Sequence, residues 1–358
     1  MLRTGTAILP LHYGKAPAWL FERMSALSGE ITYAIVREFG QKEFLKKLSD
    51  PYWFQALGCV LGFDWHSSGL TTTVTGALKE GLKGMEKELG VFIAGGKGAT
   101  SRKTPEHIEM YGNKYMINPA PLVYASRMSA KVDNTAVQDG YQLYHHVFVF
   151  TYKSEWCVIQ QGLNENTKTA RRYHWLSDTV KEFVVEPHAA VCCDKRDITL
   201  NMVAAESENT RQMSTILSKE KPQKVIKEIN KLEELELTKR HNVTPADINP
   251  KNLYRILTET YERQPENFEK LLGIKGVGPK TIRALSLVSE LIYGKAPCYR
   301  DPARFSFAHG GKDGTPFPVD RKTYDKTIDI MKNAINSAKI GNQDKIDAIR
   351  RLTRYFGV

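Results

Sequence analysis

The apolar positions of this chain follow two periods. Over residues 17–48 they recur at helical spacing, through Trp19, Leu20 and Met24 and then Ile31, Ile35, Val36 and Phe39, as a helix with one buried face requires. Lys42 to Lys47 make a solvated face around Phe44, Leu45 and Leu48. Tyr52 to Phe63 is apolar enough to be buried, and residues 70–89 return to the helical period. Val91 to Arg102 run from a short apolar segment into a glycine loop, and 105–111 read as a short helix. The pattern then becomes β-branched and aromatic. Tyr144 to Tyr152 (YHHVFVFTY) and Glu155 to Gln161 (EWCVIQQ), joined by Lys153-Ser154, predict an antiparallel hairpin. Phe183 to Cys193 read as a further strand and 200–218 as helix. Lys219-Glu220-Lys221-Pro222 interrupts the chain. Helices are predicted beyond it over 223–237, 250–261, 266–273, 280–293, 320–339 and 343–356. The expected organisation is an α+β part over 1–218, carrying an antiparallel β-hairpin or sheet, and an all-α domain over 219–358.

Bulk properties narrow the partners. With 358 residues, 41% hydrophobic and 25% charged, the chain has the length for two or three domains and the composition of a soluble globular protein. A formal net charge of +11 favours a polyanionic partner, because neutralising phosphates releases counterions. No apolar run is long enough to span a membrane. The first 24 residues, with Arg3, His12, Lys15 and Pro17, lack a signal-peptide core. A cytoplasmic protein without a membrane partner is expected. The cysteines are Cys59, Cys157, Cys192, Cys193 and Cys298. Their odd number and the lack of a CxxC argue against a disulfide framework or zinc ribbon, and Cys192-Cys193 read as buried thiols.

Residues 271–292 (LLGIKGVGPKTIRALSLVSELI) carry the sharpest local signal. A short helix ends at Gly273-Ile274-Lys275, and Gly276-Val277-Gly278 turn the chain. A second helix opens at Pro279-Lys280-Thr281, with an apolar stripe at Ile282, Leu285, Val288 and Leu291-Ile292. Proline suits a first helical turn, and glycine permits positive φ and close approach to the backbone. Free amides at a helix N-terminus bind an anion, and Lys275 and Lys280 add charge. The segment resembles the helix-hairpin-helix motif, which grips a nucleic-acid phosphate without reading bases. That resemblance implies backbone contacts by Lys275, Gly276, Gly278, Lys280 and Thr281.

Further on, Gly310 to Asp320 (GGKDGTPFPVD) place a glycine- and proline-rich loop before an aspartate that opens a helix. Hairpin, loop and aspartate in that order resemble the helix-hairpin-helix base-excision glycosylases. In that family a lysine just after the glycine turn is the nucleophile of lyase members. The resemblance implies that role for Lys280 and stabilisation of a cationic sugar by Asp320. It covers the last third of the chain, and the loop between the two residues is longer than in compact members. An aspartate at a helix start also serves as a plain N-cap.

The α+β part offers other chemistry. In Phe63 to Gly69, Asp64 and His66 stand two apart, on one face of an extended segment, where they suit a metal or acid/base pair; for this motif alone a capped helix start with a satisfied histidine is the favoured reading. Gly95-Gly96-Lys97-Gly98 with Ser101, Arg102 and Lys103 form a basic glycine loop. It lacks the Walker spacing, which leaves ATP hydrolysis out; Lys97, Arg102 and Lys103 are candidate DNA contacts of a flexible basic loop, and a plain solvated loop is the alternative. Lys131, Asp133, Asp139, His145, His146, Glu155, Gln160 and Gln161 cluster around the predicted hairpin. Asp133 and Asp139 are the candidate ligands of a divalent metal, Mg or Mn, which would neutralise charge and generate hydroxide while lysine stabilises the transition state. Arg171-Arg172-Tyr173-His174-Trp175 set cations beside aromatics, which suits a nucleic-acid groove or the start of an amphipathic helix.

Four segments together are similar to one prokaryotic family, best represented in archaea and known as domain of unknown function 763. They are Arg3 to Lys15, the DWHSSG and QDGYQLYHH segments, and the terminal hairpin with GGKDGTPFPVD. The similarity runs nearly end to end and implies a cytoplasmic prokaryotic protein, with no reaction attached. The functional expectation therefore rests on the residues: a DNA-binding, DNA-processing protein of the repair or recombination kind, with RNA left open. Metal-assisted phosphodiester cleavage is the favoured chemistry. A glycosylase/lyase using Lys280 and Asp320, and a non-catalytic architectural protein, are the alternatives.

Overall fold

The computed structural model describes residues 16–63, 68–193, 196–232, 250–303, 329–331, 333–338 and 341–356. The hairpin predicted from sequence lies at its centre. Strands β3 (Gln142–Thr151) and β4 (Trp156–Asn164) pair antiparallel, with Val147 opposite Ile159. Around them β1 (Val91–Lys97), β5 (Thr169–Leu176) and β6 (Ala190–Cys192) complete an antiparallel sheet of order β1-β3-β4-β5-β6. A separate two-stranded ladder joins β2 (Val137–Gln138) to β7 (Leu200–Asn201).

Both faces of the larger sheet are covered, which explains why its strands read as near-continuous apolar and aromatic runs. Phe92, Phe148, Phe150, Val158, Tyr173 and Trp175 enter one core; Val91, Ile93, Val147, Val149, Ile159 and Leu176 enter the other. The second core is closed by α1 (Ala18–Phe39), α2 (Gln41–Ser49), α3 (Pro51–Leu61) and α4 (Gly69–Gly81). The start of α3 is set by Asp50, which accepts from the Tyr52 and Trp53 amides at 2.8 and 3.2 Å ahead of Pro51. A short α5 (Glu86–Leu89) leads into β1, and α6 (Ala99–Arg102) leaves it.

The first core is roofed by α7 (Thr104–Tyr115) and α8 (Pro119–Lys131), and further by α9 (Glu208–Ser218), α10 (Pro222–Leu232), α11 (Pro250–Arg263), α12 (Phe268–Gly273) and α13 (Pro279–Leu291). The last helix, α14 (Asn342–Phe356), packs on α3, and Ile330, Met331 and Ile335 join the core of α1–α4. The protein is thus a mixed α/β fold of three layers, helices on either side of an antiparallel sheet. The expected boundary at 218/219 falls between α9 and α10, and α9 packs against both α12 and α13.

Several elements differ from expectation. Arg171 to Trp175 lie in strand β5, so neither the groove nor the helix start expected there forms. Within 183–193 only Ala190–Cys192 are strand. Residues 200–218 split into β7 and α9. The helical stretch 223–237 is described only to Leu232.

Helices α1 and α4 cross with their backbones almost in contact. A Cβ added at Gly81 would lie 2.1 Å from the Ser25 carbonyl oxygen, whereas one at Gly76 would meet only the Phe21 ring at 3.6 Å. Gly81→Ala is expected to destabilise by about 1–3 kcal/mol through overpacking. Gly76→Ala should be neutral or stabilise by up to about 1 kcal/mol, because a helical glycine costs backbone entropy. Urea denaturation of the two variants checks the pair; equal effects would contradict the crossing described.

Candidate nucleic-acid interface

In the turn between α12 and α13 one glycine is demanded by its conformation, and Gly278 is extended. Gly276 has φ +94°, a value that favours glycine, and Val277 is buried beneath it while Lys275, Gly276, Pro279 and Lys280 face outward. Asn267 caps α12 by accepting from the Lys270 amide at 2.9 Å. At the start of α13, the amides of Gly276, Gly278 and Lys280 have no hydrogen-bond partner among the described residues. The Gln138 side-chain amide donates to the Pro279 carbonyl at 2.9 Å and ties the turn to β2. The Tyr124 hydroxyl of α8 donates to Glu269 of α12.

Between this turn, the end of α8 and the loop around α6 lies a cleft of about 890 Å³. Among the described residues its cationic lining is Arg102, Arg127, Lys131 and Lys275, and none of those residues lining it is a carboxylate. Lys131 is half-buried, and desolvation lowers its ammonium pKa below the ordinary lysine value. The turn residues Gly276 and Gly278 form one wall, and Ser126, His145 and His146 line it as well. The structure therefore brings together Arg102, Lys131, His145, His146, Lys275, Gly276 and Gly278 from the sequence expectations. Lys97, Lys103 and Lys280 are exposed and outside this lining, and Thr281 is buried. The Lys97 ammonium lies 5.8 Å from the centre of the Tyr144 ring. Asp64, His66 and Asp320 lie outside the described residues.

The two aspartates expected to hold a metal sit in the core. A π-helical turn over Val132–Ala136 ends α8 and turns Asp133 inward. There Oδ2 accepts from the Gln160 amide at 2.6 Å and the Trp175 indole at 2.9 Å, while Oδ1 accepts from His188 Nε2 at 2.5 Å. Asp139 accepts from Arg171 at 2.8 Å, the Tyr173 hydroxyl at 2.7 Å and the Tyr141 amide at 3.0 Å. Each carboxylate is held by three donors. Among the described residues no group of three or more His, Cys, Asp or Glu side chains is arranged to hold a metal. Glu155 stands at the opposite, turn end of β3 and β4.

Arg171 and Arg172, expected to face nucleic acid, are 1% and 0% exposed. Arg171 bridges Asp139 and Asp301, the latter at 2.7 Å. Arg172 donates to His174 at 2.9 Å and lies over the Phe54 ring. Both belong to the interior of a sheet covered on two sides and are not available to a ligand.

The imidazoles are also interior. His145 Nε2 bonds the Thr75 hydroxyl at 3.0 Å, and His146 bonds Ser126 Oγ at 2.9 Å and Gln160 Oε1 at 2.8 Å. Burial pushes His145 down to about 3, helped by the adjacent His146 and Lys97, and His146 down to about 4. Burial also takes His174 well below the ordinary value. Sequence reasoning did not find α8, which supplies Ser126 and Arg127. The signal was present in Asn118-Pro119, where Asn118 caps the helix by accepting from the Ala120 amide at 3.2 Å.

Residues 5–319 match the family model described as Protein of unknown function (DUF763). The chain belongs to that family. No curated protein and no solved structure matches it. Among the described residues, no helix is long and apolar enough to cross a membrane. For this DUF763 chain the cleft geometry is therefore the guide to function.

The buried histidines make stability depend on pH. In the unfolded chain each takes up a proton near the ordinary histidine value of about 6.5, while the folded protein resists it until about 4 at His146 and about 3 at His145. Their contribution is complete above that unfolded value and is lost as pH falls below it. The slope approaches about 1.4 kcal/mol per pH unit for each histidine. Urea denaturation at neutral pH and at about pH 5 should show a loss of several kcal/mol; equal stability at the two would contradict these burial assignments.

Proposed function

We propose that the protein binds the sugar–phosphate backbone of DNA in this cleft, with α12, its turn and α13 acting as a helix-hairpin-helix. The observation that carries the reading is a concave wall that, among the described residues, has four cations, no lining carboxylate and a helix N-terminus whose first amides have no partner. A phosphate set against Gly276 and Gly278 would meet N–H groups and the positive end of the α13 dipole. Lys275, Arg102 and Arg127, all exposed, would follow the chain to either side. Such contacts position a backbone and carry no base sequence. The net charge of +11 adds long-range attraction. A DNA-processing role fits the polar chain at the bottom of the cleft, and binding is the part the geometry supports most directly.

Four phosphate contacts at about −0.9 each predict a slope of about −3.6 for log K against log salt. Fluorescence anisotropy with a labelled DNA duplex over a salt series measures it. The double variant Arg102→Ala/Lys275→Ala should weaken binding at least about tenfold and lower the slope by about two. Salt-independent binding, or a double variant that binds like the parent, would contradict the reading.

A further inference from the structure

One chain of hydrogen bonds runs from the cleft into the core, and its proton positions are fixed by its far end. Asp133 Oδ2 accepts from the Trp175 indole, which can only donate, and the Gln160 side chain presents its NH2 to the same oxygen at 2.6 Å. Gln160 Oε1 then faces His146 Nδ1 at 2.8 Å and can only accept, so Nδ1 carries the imidazole proton. His146 Nε2 is left with its lone pair toward Ser126 Oγ at 2.9 Å. The Ser126 hydroxyl therefore donates to His146. A hydroxyl bonded to a neutral imidazole, whose other nitrogen is fixed by an acceptor, is the arrangement that activates a serine.

The surroundings match that use. Ser126 and His146 both line the cleft, together with Arg127 and Lys131 from the same helix as Ser126. Sharing that lining, the two cations would supply positive charge to a phosphoryl group bound in the cleft. The chain is anchored at its end, because Asp133 is also held by Trp175 and His188. Packing alone does not require a serine, a histidine and an amide in series on one sheet face.

We propose that Ser126 is a nucleophile toward phosphorus and His146 its general base, with Gln160 and Asp133 as positioning residues. The substrate class, a phosphodiester of nucleic acid, rests on the binding reading above. In the step, Ser126 Oγ forms a bond to phosphorus while its proton passes to His146 Nε2. The bond from phosphorus to the departing sugar oxygen breaks, and that oxygen takes the proton from His146. The products are a phosphoseryl ester and a free sugar hydroxyl. The same step reversed, or attack by water, releases the enzyme, and no oxidant or reductant enters.

A biotinylated fluorophosphonate, which offers an electrophilic phosphorus with fluoride as leaving group, tests the nucleophile without nucleic acid. Peptide mass spectrometry of the full chain should place the adduct on Ser126. Ser126→Ala should abolish it, and His146→Gln should slow it at least about a hundredfold. Gln160→Met, which removes the amide acceptor but keeps the volume, should slow it too, with circular dichroism showing a folded protein. Ser126→Ala removes only one oxygen, so it keeps the test valid if a histidine variant fails to fold. A folded parent with no adduct on Ser126, or an adduct formed equally fast in folded His146→Gln, overturns the proposal. Because the probe contains no DNA, failure here leaves the binding reading standing, and failure of DNA binding leaves labelling to be judged separately.

Discussion

The buried ion bridge of Arg171 with Asp139 and Asp301 is the constraint on which this architecture turns. An arginine in the middle of a sheet covered on both faces is tolerated only when its charge is matched. Here one carboxylate comes from the loop after β2 and the other from the chain beyond α13. The bridge thereby fastens the far end of the α12–α13 unit to the sheet. Neighbouring bonds reinforce it: the Asn201 amide donates to the Cys298 carbonyl at 2.9 Å and the Thr199 amide to the Tyr299 carbonyl at 3.1 Å. With Gln138 holding Pro279 at the near end, the turn is fixed relative to α8 and β3. Removing one partner of such a buried bridge typically costs about 3–5 kcal/mol. The cleft would then lose one wall as well as stability.

Polar residues on the two sheet faces serve different ends. Toward α1–α4, His145 Nε2 is held by Thr75, and Arg172 by Gln55 and Thr71; both side chains are buried, and His145 also borders the cleft. Toward α8, the row from Ser126 through His146 and Gln160 to Asp133 begins at the cleft and ends in the core. Alternation along β3 separates the two rows, since adjacent residues of a strand face opposite ways. The imbalance of charge lies in the cleft, where the described lining holds four cations and no carboxylate. A protein gains no stability from gathering like charges, so this arrangement points to an anionic ligand.

Much of the frame was legible in the sequence. The β3–β4 hairpin followed from its aromatic and β-branched runs, and the glycine turn at 276–278 from punctuation between two apolar stripes. β5 was not legible, because Arg171 and Arg172 break any apolar pattern. Their burial depends on Asp139, Asp301, Gln55 and Thr71, which are distant in sequence. The same holds for the site. Basic residues at 102, 131 and 275 stand out singly, but their meeting in one cleft depends on α8, whose sequence signal is confined to the cap at Asn118-Pro119. Asp133 and Asp139 looked like metal ligands because carboxylates near histidines do; only the donors around them distinguish buried acceptors from ligands.

Amide hydrogen–deuterium exchange of the full chain, with and without a saturating DNA duplex, tests the central claim most directly. Unpartnered amides exchange fast until a ligand occupies them. The account predicts that residues 275–281 and the segment around Arg102 slow on DNA addition, while the α1–α4 face is unchanged. DNA bound with protection confined to other surfaces, and none at the turn, would contradict it.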